Sequence, residues 1–107
     1  MSVLPPEAES VNSQAARAIE LARRSRPPMK CFVRDMRAVL GRPSLARQTV
    51  YEWESGRRQV PAAALIAAAE VACWTIDDLL RLAASERGRL MLDDVRVPYP
   101  RRRAASA

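Results

Sequence analysis

Between residues 11 and 87 the apolar positions recur at helical spacing, and breakers divide them into five stretches. From Val11 to about Arg24, Val11, Ala15, Ile19 and Ala22 stand four, four and three apart, which draws one stripe down a helix. Asn12 or Ser13 is placed to cap its start, and Pro27-Pro28 must stop whatever helix precedes them. From Met29 to Leu40, Phe32, Val33, Met36, Val39 and Leu40 share a side while Arg34 and Arg37 point outward, and Gly41 is placed to end that helix in a left-handed turn. In the stretch Leu45 to Pro61, LARQTVYEWESGRRQVP, Leu45, Val50 and Trp53 lie close enough to one helical side to be buried together. After Pro61, a residue suited to a first helical turn, AAALIAAAEVAC is strongly helix-forming, with Leu65, Ile66, Ala69 and Ala72 as the expected buried set. Trp74 ends it. Thr75, with Asp78 three residues on, makes a near capping box for a fifth helix whose apolar side is Ile76, Leu79, Leu80 and Ala83.

Beyond Gly88 the pattern changes. Leu90 and Leu92 alternate with Arg89 and Met91, and Val95 and Val97 with Arg96, which is strand-like. A lone strand is not stable, so this segment pairs with itself across Asp93-Asp94 or with a second copy of the chain; a flexible apolar tail is the bland alternative. Residues 1–10, with two adjacent prolines, read as a disordered lead-in, and residues 101–107 as a basic disordered tail. The expectation is therefore all-α: a five-helix domain over 11–87 with a short C-terminal strand-like extension at 88–100, acting as a dimerisation strand or arm. The 107 residues suffice for one helical core, and scarce aromatics beside abundant Ala and Leu favour helix packing over a sheet.

Charge changes the picture through its distribution. Arg17 to Arg58 carries eleven Arg or Lys against four acids, whereas Pro61 to Asp94 carries three against six. A single-sign region of this kind attracts a polyanion through counterion release. A membrane surface fits it less well, because the predicted helices there are not strongly apolar on one face. Cys31 and Cys73 are the only cysteines and there is no His, too few ligands for a zinc site. A disulfide between them stays open; two buried or half-buried thiols in a cytoplasmic protein is the expectation. The start lacks an apolar signal core and no run reaches the length of a membrane span, so a cytoplasmic, nucleoid-associated protein is expected. With three glycines, no His and no paired-carboxylate constellation, no enzyme and no cofactor are expected. Asp77-Asp78 and Asp93-Asp94 read more simply as a helix start and a turn.

The candidate chemistry lies between Leu45 and Pro61. Arg47, Gln48, Thr49 and Glu52 fall mostly away from the apolar side, and these side chains suit base edges: Arg for guanine, Gln for adenine, Glu for the cytosine amine, Thr for a thymine methyl. The run T-V-Y-E-W-E-S-G-R-R-Q-V-P, the apolar helix after it and W-T-I-D-D-L-L together resemble the Xre/Cro-type repressor family of helix-turn-helix proteins, over about residues 45–80. The resemblance implies that Ala46 to Ser55 is the third of five helices and enters the major groove of double-stranded DNA. It also implies that Arg47 and Gln48 are the principal base contacts with Thr49 and Glu52 secondary, and that Arg57 and Arg58, joined by Arg42, lie on phosphates. It implies as well that Met29 to Leu40 lies across the DNA backbone. The chain departs from the family pattern in two respects: Met36 is followed by Arg37 where a small residue is usual, and Gly41-Arg42-Pro43-Ser44 makes a longer connection than a three-to-four-residue turn.

The expected function is a small, non-enzymatic, sequence-specific transcriptional regulator, a homodimer reading paired half-sites. One alternative is a protein-interaction module or antitoxin-like partner protein on the same scaffold, with the acidic C-terminal half as partner surface. A further alternative, from R-Q-T-V-Y-x-W, is an excisionase- or MerR-like head with a β-wing, against which the Ala-rich helix after Pro61 argues.

Overall fold

The computed structural model describes residues 11–93. The readings of residues 1–10, of Val95 to Val97 and of the basic tail at 101–107 lie outside the described residues. Within them the chain is all-helical, with no strand. Its elements are α1 (Val11–Arg24), α2 (Met29–Leu40), α3 (Arg47–Ser55), α4 (Ala62–Val71), α5 (Ile76–Ala84) and α6 (Glu86–Asp93).

α1 is the hub, packed against α3, α4, α5 and α6, while α2 packs on α3 and α4. The hub follows from composition. α1 buries Ala15, Ala16, Ala18, Ile19, Leu21 and Ala22, and so many small residues let neighbouring helices approach closely. Val11, first residue of the expected stripe, is 82% exposed. Asn12 and Ser13 lie inside the helix and do not cap it; the Asn12 carboxamide oxygen instead accepts a 2.9 Å hydrogen bond from the Val60 N–H. That bond ties the first turn of α1 to the α3–α4 connection.

The C-terminal ends of α2, α3 and α4 are set by left-handed residues. Gly41 takes φ 64, and the N–H groups of Gly41 and Arg42 donate to the carbonyls of Ala38 and Arg37 at 3.3 and 3.0 Å, which satisfies carbonyls that the last turn would otherwise orphan. Gly56 closes α3 at φ 78. After α4 the same device recurs with Cys73 at φ 61: Cys73 N–H donates to Glu70 and Trp74 N–H to Ala69, at 3.1 and 2.8 Å. A β-carbon is disfavoured there, so the turn holds against a local cost. Thr75 caps α5, its hydroxyl accepting from the Asp78 N–H at 3.1 Å, as the sequence suggests.

Two expectations are corrected. The described residues hold six helices, not five, and the strand-like reading of Leu90 to Leu92 gives way to α6. Ser85 opens that helix by accepting from the Gly88 N–H at 3.0 Å, while its hydroxyl donates to the Leu82 carbonyl at 2.7 Å. Gly88 is packed so closely that a β-carbon on it would lie 2.0 Å from the Leu82 oxygen. A strand would bury Leu90 and Leu92 together. The helix instead buries Gly88 and Met91, half-buries Leu92 and leaves Leu90 exposed, a spacing of three and one that continues the core formed by Leu79 and Ala83. The segment that a β-wing would occupy, between Pro61 and Ala84, holds α4 and α5.

The core differs from expectation at some positions. Leu45, Val50, Trp53, Phe32, Val33 and Met36 are buried as the pattern requires, but Val39 is exposed and Ile66 is 56% exposed. Of the set expected around α4, Ala69 and Ala72 are buried and Leu65 is half-buried against the core, and Ala64, Ala67, Ala68 and Val71 complete the buried side in place of Ile66. In a helix apolar on every side, periodicity cannot say which side faces inward. Ile76 also stands exposed at the start of α5.

Candidate nucleic-acid interface

α3 is positioned by its buried side. Val50 and Trp53 are 0% and 1% exposed, and burying an indole and a branched side chain against α1 and α2 leaves the helix little freedom to roll. Its far end is fixed electrostatically. Arg23 of α1 makes a two-pronged pair with Glu54, through Nε to Oε2 and through Nη2 to Oε1 at 2.9 Å. The Glu54 side chain is only 9% exposed, so burial is the largest influence on it and pushes its carboxyl above the ordinary range, while Arg23 pulls it down. This cross-helix pair is not apparent from spacing, because its members lie 31 residues apart.

The near end is fixed through the connection. Residues 41–46 join α2 to α3, longer than a tight turn, as the Gly41-Arg42-Pro43-Ser44 run suggests. The connection is held by the Leu45 N–H donating to the Arg42 carbonyl at 3.1 Å and by Arg37 Nε donating to the Leu45 carbonyl at 2.8 Å. Arg37 therefore clasps the longer loop.

Against that scaffold, Arg47 and Gln48 are exposed on the first turn of α3 and Thr49 is half-buried. Arg42 is exposed just past α2, and Arg57 and Arg58 are exposed just past Gly56. Glu52 is differently placed from a freely reaching base contact. Its carboxylate accepts from Arg58 Nε at 2.9 Å and lies 2.9 Å from Arg58 Nη2, and its carbonyl accepts the Arg58 N–H at 3.2 Å. Glu52 and Arg58 thus form one unit folding the loop back on the helix. Tyr51, not among the candidate residues, is 46% exposed; it stands four residues from Arg47 and three from Gln48, a spacing that places it on the same side.

The arrangement offers a rigid helix whose outward residues include a guanidinium, a carboxamide and a phenol, flanked by arginines on two loops. Such groups suit a surface carrying both acceptors and negative charge. Cys31 is half-buried and Cys73 exposed, both free; the thiol of Cys73 is thus less buried than expected. Among the described residues no group of three or more His, Cys, Asp or Glu is placed to hold a metal, and no helix is long and apolar enough to cross a membrane. Comparison of the chain with family models, with curated proteins and with solved structures gives no match.

Proposed function

We propose that this chain is a sequence-specific DNA-binding transcriptional regulator of the Xre/Cro type, working as a homodimer and reading the major groove with α3. The observation that carries the reading is the division of α3 between a buried side, Val50 and Trp53, and an exposed first turn, Arg47 and Gln48. A reading helix needs that division: base edges discriminate only if the side chains facing them are held in register by the protein behind them. Arg47 and Gln48 are the principal base contacts, Thr49 the lesser one, and Arg42 and Arg57 lie on phosphates. Glu52 acts in company with Arg58, since the two are paired in the free protein.

The test is selection of randomised duplex DNA by the purified chain at near-physiological salt, repeated with Arg47→Ala and Gln48→Ala combined. The expected result is an enriched palindrome or direct repeat that the variant no longer selects. Equal enrichment by the variant removes α3 as the reading element. No enrichment by either chain favours the second reading, a protein-interaction module on the same scaffold, which draws its support from the exposed Ile66 on α4 and Ile76 on α5.

A further inference from the structure

α3 turns outward a large side chain that the candidate set leaves out. With about 100° of rotation per residue, the buried Val50 and Trp53 mark the inward direction, and the opposite arc carries Arg47, Tyr51, Ser55 and Gln48 in that rotational order. Tyr51 falls about 40° from Arg47 and about 60° from Gln48, between the two and further along the helix. All four are exposed, Tyr51 at 46%. Ser55 is turned back on the helix, its hydroxyl donating to the Glu52 carbonyl at 3.2 Å, and the Glu52 carboxylate, at the edge of the arc, holds Arg58. Thr49, the residue matched to a thymine methyl, lies about 110° from the middle of the arc and is half-buried. The outward middle of α3 therefore presents Arg47, Gln48 and Tyr51.

We infer that Tyr51 is a specificity-determining residue of α3, its ring packing on the C5-methyl group of a thymine in the major groove. This rests on the DNA-binding reading and deepens it. Arg47 and Gln48 are matched to hydrogen-bonding edges, whereas the thymine methyl is read by apolar contact. With Thr49 half-buried, the phenol ring is the apolar group that the arc offers. A ring with two torsions supplies that contact area at little entropic cost. It also has support beside it: Glu54 stands three residues on, paired with Arg23, and Arg23 lies within electrostatic reach of the phenol. One helical turn rises about 5.4 Å and base pairs are roughly 3.4 Å apart, so Tyr51 meets a different base pair from Arg47.

The experiment uses full-length chains: the unmodified protein, Tyr51→Phe and Tyr51→Ala, the helical content of each checked by circular dichroism. Each chain selects from randomised duplexes, and its affinity is then measured for the selected duplex with thymine or uracil at each thymine position. Uracil keeps the pairing edge and removes only the methyl group. At one position in each half-site, uracil is expected to weaken the unmodified chain and Tyr51→Phe about fourfold, the worth of one buried carbon. Tyr51→Ala is expected to select no thymine there and to bind both duplexes equally. Uracil acting equally on Tyr51→Ala and the unmodified chain overturns the inference and leaves α3 as the reading helix. Tyr51→Phe behaving as Tyr51→Ala overturns it by making the hydroxyl the contact. Affinity lost by Tyr51→Ala for every sequence alike overturns it by placing Tyr51 on the backbone, where contacts carry no sequence information. A selected site with no thymine overturns it as well. Failure of the unmodified chain to select any sequence overturns this inference and the DNA-binding reading together.

Discussion

α3 and α4 are nearly equal in length, 9 and 10 residues, yet they are held in place by opposite means. α3 buries two residues, Val50 and Trp53, and otherwise depends on directed polar contacts: Arg23 with Glu54, Arg37 with the Leu45 carbonyl and Arg58 with Glu52. α4 buries five residues, four of them alanines, and its place is set mainly by close approach to α1, α2 and α5. The difference teaches that a helix free to present polar groups outward must be located by a few strong anchors, whereas a packing helix is located by the absence of bulk. Polar contacts fix an angle; small residues fix a distance.

The contrast yields a graded series of tests by chemical denaturation. Trp53→Ala should cost most, about 3–5 kcal/mol, because it empties the main anchor of α3. Arg23→Ala should cost about 3 kcal/mol, at the low end for breaking a buried pair, since Glu54 is left nearly buried without its partner and Arg23 itself is 22% exposed. On the other side, Ala68→Leu, at a position 0% exposed, should cost about 1–3 kcal/mol by forcing α4 away from its neighbours. A cost near zero there would show that distance is not what holds α4.

Smaller effects sharpen the picture. Burial acts to raise the Asp35 carboxyl, but hydrogen bonds from Arg26 and Arg34 outweigh it and hold the group below its ordinary value of 3.8. A carboxyl depressed in the folded state contributes stability above its unfolded pKa, and that contribution is lost as pH falls through the folded value. Asp35→Asn should thus lower stability slightly at pH 7, and the difference from the unmodified protein should shrink as pH falls below about 3.8. Smallest of all, Ile66→Ser should stay within about 0.5 kcal/mol, as exposed substitutions do. A larger, concentration-dependent loss would mean that the outer side of α4 is covered by another chain.

Much of this arrangement was legible in the sequence, for reasons that also explain the failures. The bounds of α1 and α2 follow from their stripes and from the breakers Pro27, Pro28 and Gly41, and Thr75 marks its helix because a hydroxyl three residues before Asp78 has a local partner. α6 escaped because alternation over so few residues fits either period, and because Gly88 reads as punctuation when its role is close packing against Leu82. The signal that would have found it is Ser85, a capping residue three places before Gly88. At the candidate interface, the exposure of Arg47 and Gln48 was readable from position. The engagement of Glu52 by Arg58 and of Arg23 by Glu54 was not, since each depends on where a loop or a distant helix returns.

The hub position of α1 has a consequence for how the molecule folds. Among the described residues α1 finds its partners in α3, α4, α5 and α6, so its alanine-rich side is covered by helices that follow it at a distance along the chain. Assembly of this small domain is governed by contacts distant in sequence, which slows folding relative to a bundle of successive hairpins.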